Sequence, residues 1–156
     1  MQKRENVWRS AILKHFRTEC PAGFIWAHDA HFRHGFPDLT IILPPWGREI
    51  HVELKVCDTG EEHLKGVSPR QIVTLQNIAR AGGTSLVWTL IPSQGLVLWY
   101  DMRTKGTRIM TKDQFEKILV TPFKFSEVLG NNLRLASQTP RGVGDRSQPS
   151  GSLDPT

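Results

Sequence analysis

Three residues in this chain have the types and spacing to do hydrolytic chemistry together: Asp38 at the end of Gly35-Phe36-Pro37-Asp38, and Glu53 and Lys55 in Glu53-Leu54-Lys55. Asp38 opens an apolar run, Leu39-Thr40-Ile41-Ile42-Leu43, that is too short for a helix and rich in β-branched residues, as in a buried strand. Pro44-Pro45-Trp46-Gly47 breaks the run, and Arg48 to Val56 then alternates polar and apolar with the period of a half-buried strand. If Leu43 pairs with Arg48, counting outward sets Asp38 opposite Glu53, where cross-strand Cβ atoms lie about 5 Å apart. The pleat sends Lys55 to the same side as the two acids and Val52, Leu54 and Val56 to the other. Carboxylates this close repel one another and favour a bound cation. Hard oxygen donors without thiolates suit Mg²⁺ or Mn²⁺ better than zinc. A structural network of Asp, Glu and Lys has the same spacing, so geometry alone leaves two readings open.

Other elements must bring the rest of such a site into place. From Asn6 to about Arg17 the spacing of Trp8, Ile12 and Phe16 predicts an amphipathic helix, and Glu5 extends that apolar face. Glu5 is therefore a candidate third acidic ligand, although the helix macrodipole also favours an acid in the first turn. Phe24 to Ala27 reads as a short strand that leads into a histidine-rich connection. The spacing of His28, Asp29, His31, Arg33 and His34 fits no common zinc pattern. His31, Arg33 and His34 are instead candidate phosphate contacts, or solvated loop residues. Gly35 and Pro37 fix the direction in which the chain enters the strand after Asp38.

Residues 57–67 are polar, contain Gly60 and Gly66, and are expected to form a mobile loop near the site. Ser68-Pro69-Arg70-Gln71 has the form of a capping box with proline in the first helical turn. Ser68 and Arg70 at that helix start, beside free amide donors, suit a backbone phosphate, and Gln71 completes the cap. Ile72, Leu75, Ile78 and Ala79 form the buried stripe, and Gly82-Gly83 ends the helix. Strands are expected over 84–91 and 95–100, and a second capping box at Thr111 opens a helix with Phe115, Ile118 and Leu119 on its apolar side. Residues 122–135 are expected to be irregular or short helical structure. Residues 136–156, rich in Ser, Pro, Gly and Gln, are expected to be a disordered tail.

With 156 residues and 38% hydrophobic content, the chain supports one globular domain with a single core. It has no apolar stretch long enough to span a bilayer and no signal-peptide-like start, so an intracellular, cytoplasmic protein with no membrane association is expected. Cys20 and Cys57 do not make a disulfide framework or a zinc pair. A net charge of +5 favours a polyanionic partner such as nucleic acid.

The ordered series of a helix with Glu5, a Gly23-Phe24 strand, Gly35-Phe36-Pro37-Asp38, Glu53-Leu54-Lys55 and Ser68-Pro69-Arg70-Gln71 resembles the PD-(D/E)xK nuclease superfamily. Within it, the series is most similar to the virus-type replication-repair nuclease domain, over about Glu5 to Ile91. The resemblance implies an α/β fold with an αβββαβ restriction-endonuclease-like core, a mixed sheet flanked by helices, and a C-terminal strand and helix extension. On that basis residues 1–135 form the nuclease domain, with the core at about 5–91 and the extension at 92–135. It also implies DNA cleavage with a divalent metal and kinship with Holliday junction resolvases, which act as homodimers on branched DNA without a nucleotide cofactor. Asp38 and Glu53 match the metal-binding acids, the carbonyl of Leu54 would complete the inner shell, and Lys55 matches the catalytic lysine. Glu5 matches the acid of the first helix, which often reaches the metal through water, and Gln71 matches a glutamine beside the site. A restriction-type endonuclease and a noncatalytic DNA-binding module are the competing expectations.

Overall fold

Alternation along β2 (Leu39–Leu43) and β3 (Arg48–Val56) decides which face of the sheet is core and which is site. In the computed structural model, which describes residues 2–28, 35–44, 47–59, 64–121, 125, 127 and 128, Leu39, Ile41, Leu43, Ile50, Val52, Leu54 and Val56 enter one apolar cluster. Glu53 and Lys55 face the other way. Leu43 pairs with Arg48 and Leu39 with Val52, the register that the hydrophobic pattern predicts.

The elements follow in the order α1 (Gln2–Glu19), β1 (Phe24–Ala27), β2, β3, α2 (Pro69–Arg80), β4 (Thr84–Ile91), β5 (Leu96–Asp101), β6 (Thr107–Thr111) and α3 (Lys112–Leu119). The first six give the expected αβββαβ core, and the fold is α/β. The strands form one sheet in the order β1-β2-β3-β4-β5-β6, with neighbours antiparallel except for the parallel β3–β4 pair. A parallel pair needs a crossover, and α2 supplies it. The crossover brings the start of α2 back to the end of the sheet at which β3 finishes, beside Glu53 and Lys55.

Trp8, Ile12 and Phe16 of α1 and Phe115 and Leu119 of α3 cover one face of the sheet with Trp88, Trp99 and Phe125. Leu75 and Ala79 of α2 cover part of the other face, over Val87, Tyr100 and Met102. Phe115 meets Trp8 and Trp88 with ring centroids 6.0 and 4.8 Å apart, which ties α1 and α3 to one aromatic centre. Aromatic pairs at these separations add to the burial of their area.

Four details differ from the sequence-based expectation. Helix α1 begins at Gln2 rather than Asn6 and ends at Glu19 rather than Arg17. Its first turn is polar, so apolar spacing carried no signal there. Strand β5 is shifted by one residue to Leu96–Asp101. Strand β6, absent from the expectation, has Met110 as its one buried residue, and pairing with β5 rather than burial defines it. The described ends of the 57–67 loop are held: the Cys57 amide donates to the Leu90 carbonyl at 2.9 Å, and Arg4 pairs with Asp58 at 2.8 Å. In the 122–135 stretch Phe125 is fully buried in the core. The expected tail, 136–156, lies outside the described residues, as does Trp46.

The capping box at the start of α2 is complete: the Ser68 hydroxyl accepts from the Gln71 amide at 3.2 Å, and Gln71 Oε1 accepts from the Ser68 amide at 3.0 Å. Replacing Ser68 with Ala should lower stability by about 1 kcal/mol. Urea denaturation of the two proteins measures the loss, and coincident midpoints would show that the cap contributes nothing.

Candidate active site

Glu53 is fully buried, and its two carboxylate oxygens have different surroundings. Oε1 accepts from the Lys55 ammonium at 2.7 Å and from the Gln71 side-chain amide. Oε2 is buried with no hydrogen-bond partner. Asp38, just before β2, accepts the Leu54 amide on Oδ2 at 2.8 Å, and its Oδ1 lies 4.0 Å from Arg9 Nη1. Glu5 reaches the same place from the first turn of α1, with Oε1 4.0 Å from Lys55 Nζ.

These groups perturb one another. Burial, reinforced by the negative charges of Asp38 and Glu5, pushes the Glu53 carboxyl up to about 8, against the opposing pull of Lys55. Burial works against the charge on Lys55, but Glu53, Glu5 and Asp38 together outweigh it and hold its pKa above the ordinary value. Without a bound cation, burial and the neighbouring acids thus favour the protonated form of Glu53 beside a charged Lys55.

The donor set fits a hard divalent cation. Two carboxylates share one end of one sheet face, and one of them has a buried oxygen that no described residue satisfies, an arrangement that is costly unless a ligand or water meets it. A cation there would also release the proton from Glu53. Asp38 and Glu53 would hold the metal. Among the described residues no three His, Cys, Asp or Glu side chains converge to hold a metal ion by themselves. Helix α1 directs Glu5 toward Lys55. Thiolate chemistry is not available, since Cys20 and Cys57 are buried free cysteines and neither takes part in the site.

Among the other expected site residues, Leu54 holds Asp38 through its amide while its side chain packs in the core. Gln71 both caps α2 and grips Glu53, so a residue read as a cap is also a site residue. In Ser68 the amide donates to Gln71 Oε1 and the hydroxyl accepts from the Gln71 amide. Arg70 is exposed, and its stem packs over Gly35, whose φ of +87° and crowded Cβ position require glycine. His31, Arg33 and His34 lie outside the described residues. His28 bonds Thr40 Oγ1 at 2.8 Å, and Asp29 lies outside the described residues.

Comparison with known proteins found no matching family model and no matching curated protein. Among solved structures the chain is similar to Hjc, a Holliday junction resolvase from the archaeal hyperthermophile Archaeoglobus fulgidus. The two share 12% identity with a TM-score of 0.46, over 71% of this chain and 88% of that one.

Two contributors were not foreseen. Arg9 approaches Asp38 and lies one helical turn after Glu5, so its position beside the acids was implicit in the i, i+4 spacing. Thr89 pairs in register with Lys55, and its hydroxyl is buried without a partner. A threonine within an apolar strand carries no sequence signal of this kind.

The protonation of Glu53 has a measurable consequence. Between about 4.5 and about 8 the folded chain binds a proton at Glu53 that the unfolded chain has lost, so stability falls as pH rises through this window. In metal-free buffer Glu53→Gln lacks this loss. Its melting temperature relative to wild type should therefore rise from pH 5 to pH 8, as read by calorimetry in EDTA. A difference that does not change with pH would refute the shifted carboxyl.

Proposed function

We propose that the chain is a divalent-metal-dependent DNA endonuclease of the PD-(D/E)xK type, similar to virus-type replication-repair nucleases, that cuts branched duplexes such as Holliday junctions as a homodimer in the cytoplasm. The observation that carries this reading is the buried Glu53 carboxylate, with one oxygen held by Lys55 and Gln71 and the other unpartnered, at the end of the sheet face where Asp38 is fixed by the Leu54 amide. A purely structural ion network would be expected to satisfy both oxygens of its most buried carboxylate.

Mg²⁺ or Mn²⁺ held by Asp38 and Glu53 would supply charge neutralisation at the scissile phosphate and a more acidic attacking water. The protein side chains provide the rest. Gln71 and Lys55 both engage Glu53 Oε1 and so leave Oε2 available. Lys55, kept charged by its acidic neighbours, orients the attacking water or stabilises the negative charge that develops on the phosphate oxygens. Glu5 steadies Lys55 from α1. Arg9 adds a second positive charge to that of Lys55, beside Asp38. Direct, in-line attack by water needs no covalent enzyme intermediate. Two-fold symmetry of a junction is matched by a two-fold enzyme, which supports the homodimer.

Asp38→Asn and Lys55→Ala should each lower Mg²⁺-dependent nicking by at least about a hundredfold while DNA binding persists, the usual scale for losing charge stabilisation at a reacting centre. The assay presents purified protein with a four-way junction, a flap, a linear duplex and supercoiled plasmid. Paired symmetric cuts in the junction support the proposal, and a fixed site in any duplex would make the enzyme restriction-like. Mg²⁺-dependent cleavage retained by Asp38→Asn would sink the assignment, and binding without cutting by the wild type would reduce the protein to a DNA-binding module.

A further inference from the structure

The sheet face that carries Glu53 and Lys55 is covered by α2 over β4 and β5, and at β1 it presents rings instead of a helix. Phe24 and Trp26 are 52% and 60% exposed, against the rule that large apolar side chains are buried. They alternate with the core residue Ile25 and therefore stand on the same face, followed two residues later by His28. Trp26 lies nearly parallel to the His28 ring, with an interplanar angle of 19° and centroids 5.9 Å apart, and Phe24 meets Trp26 edge-on at 6.4 Å. The inner end of this row is fixed: His28 bonds Thr40, Thr40 bonds His51 Nδ1 at 3.2 Å, and Phe36 packs edge-on against both imidazoles.

We propose that Phe24 and Trp26 form a stacking platform for unpaired nucleobases of the strand held at the Asp38–Glu53 site. The inference rests on the nuclease reading and adds to it the part of the substrate that β1 would grip. Three observations favour a nucleobase over a second protein chain. The row is narrow and interleaved with hydrogen-bonding imidazoles rather than being a broad apolar patch. It also runs directly into the site, since the His28 amide donates to the Asp38 carbonyl at 2.8 Å. Positive charge lies where the phosphates would pass: Arg9 reaches both the His28 carbonyl and Asp38. Exposed rings beside a cation such as Arg9 make a sequence-tolerant site for single-stranded nucleic acid, because every base has a face to stack. A flap, or a junction opened at its branch point, offers unpaired bases that a continuous duplex does not, so the platform would favour branched DNA.

The test uses the full chain in EDTA, so that no cleavage occurs, with fluorescence anisotropy on a labelled oligothymidine and on a blunt duplex of the same length. Trp26→Ala should weaken oligothymidine binding about tenfold and duplex binding by less than about twofold, as expected for the loss of one stacked base. Phe24→Ala should lose less, and Trp26→Phe should restore most of the affinity. Because Trp26 is exposed, the melting temperature of Trp26→Ala should stay near that of wild type. Equal losses on both DNAs, or none on either, would overturn the platform. So would light scattering that shows Trp26→Ala in a smaller assembly than wild type, which would make the row a contact between subunits. If wild type bound neither DNA in EDTA nor with Ca²⁺ added in place of Mg²⁺, the nuclease reading would fall with it. If wild type bound and Trp26→Ala bound equally well, only the platform would fall.

Discussion

Removing a carboxylate from water is the costliest thing this structure does, and the arrangement around Glu53 follows from it. The strand that carries Glu53 is packed on both faces from Val52 to Val56, so the carboxylate cannot turn outward to solvent. Its environment offers two ways to lower the cost. One is a proton, and burial with nearby Asp38 pushes the carboxyl up to about 8. The other is positive charge, and Lys55 is 2.7 Å away. With Glu53 ionised, Lys55 and Arg9 set two positive charges against the three acids Glu53, Glu5 and Asp38. The residual negative potential is what makes a divalent cation the natural third solution.

The chain builds this site from parts that also hold the fold together. Leu54 contributes its side chain to the core and its amide to Asp38. Gln71 closes the capping box of α2 with one end of its side-chain amide and holds Glu53 with the other. The parallel β3–β4 pair forces a crossover, and the crossover sets the start of α2 beside the end of β3. The position of Gln71 is thus a consequence of sheet topology rather than a separate device.

What was legible in the sequence was whatever a strong period or a local hydrogen-bonding signature encodes. Alternation from Arg48 to Val56 and the length of the Pro44 to Gly47 connection were enough to give the Leu43–Arg48 register, and hence Asp38 and Glu53 at one end of one face. Both capping boxes were readable because Ser68 and Gln71, and Thr111 and Gln114, satisfy each other within three residues. Polar first turns and edge strands were not. Helix α1 gains its first turn without an apolar residue to mark it, and β6 exists by pairing with β5 rather than by burying a face. Arg9 and Thr89 were missed because their place in the site depends on how α1 and β4 lie against β3, a long-range fact that no local pattern carries.

Asp38 shows why register and chemistry are inseparable here. Its Oδ2 accepts the Leu54 amide, a link across the mouth of the β2–β3 pair one step beyond the last paired residues, Leu39 and Val52. A slip of one residue would turn Glu53 and Lys55 into the core and Val52, Leu54 and Val56 out of it. Asp38 therefore helps to pin the alignment that places Glu53 beside it, and the same side chain leaves Oδ1 toward the site. An amide in place of the carboxylate keeps an oxygen for the Leu54 N–H and removes the charge, whereas alanine removes both. The first change isolates what the charge does, and the second confounds it with the alignment of the strand that carries the other two residues.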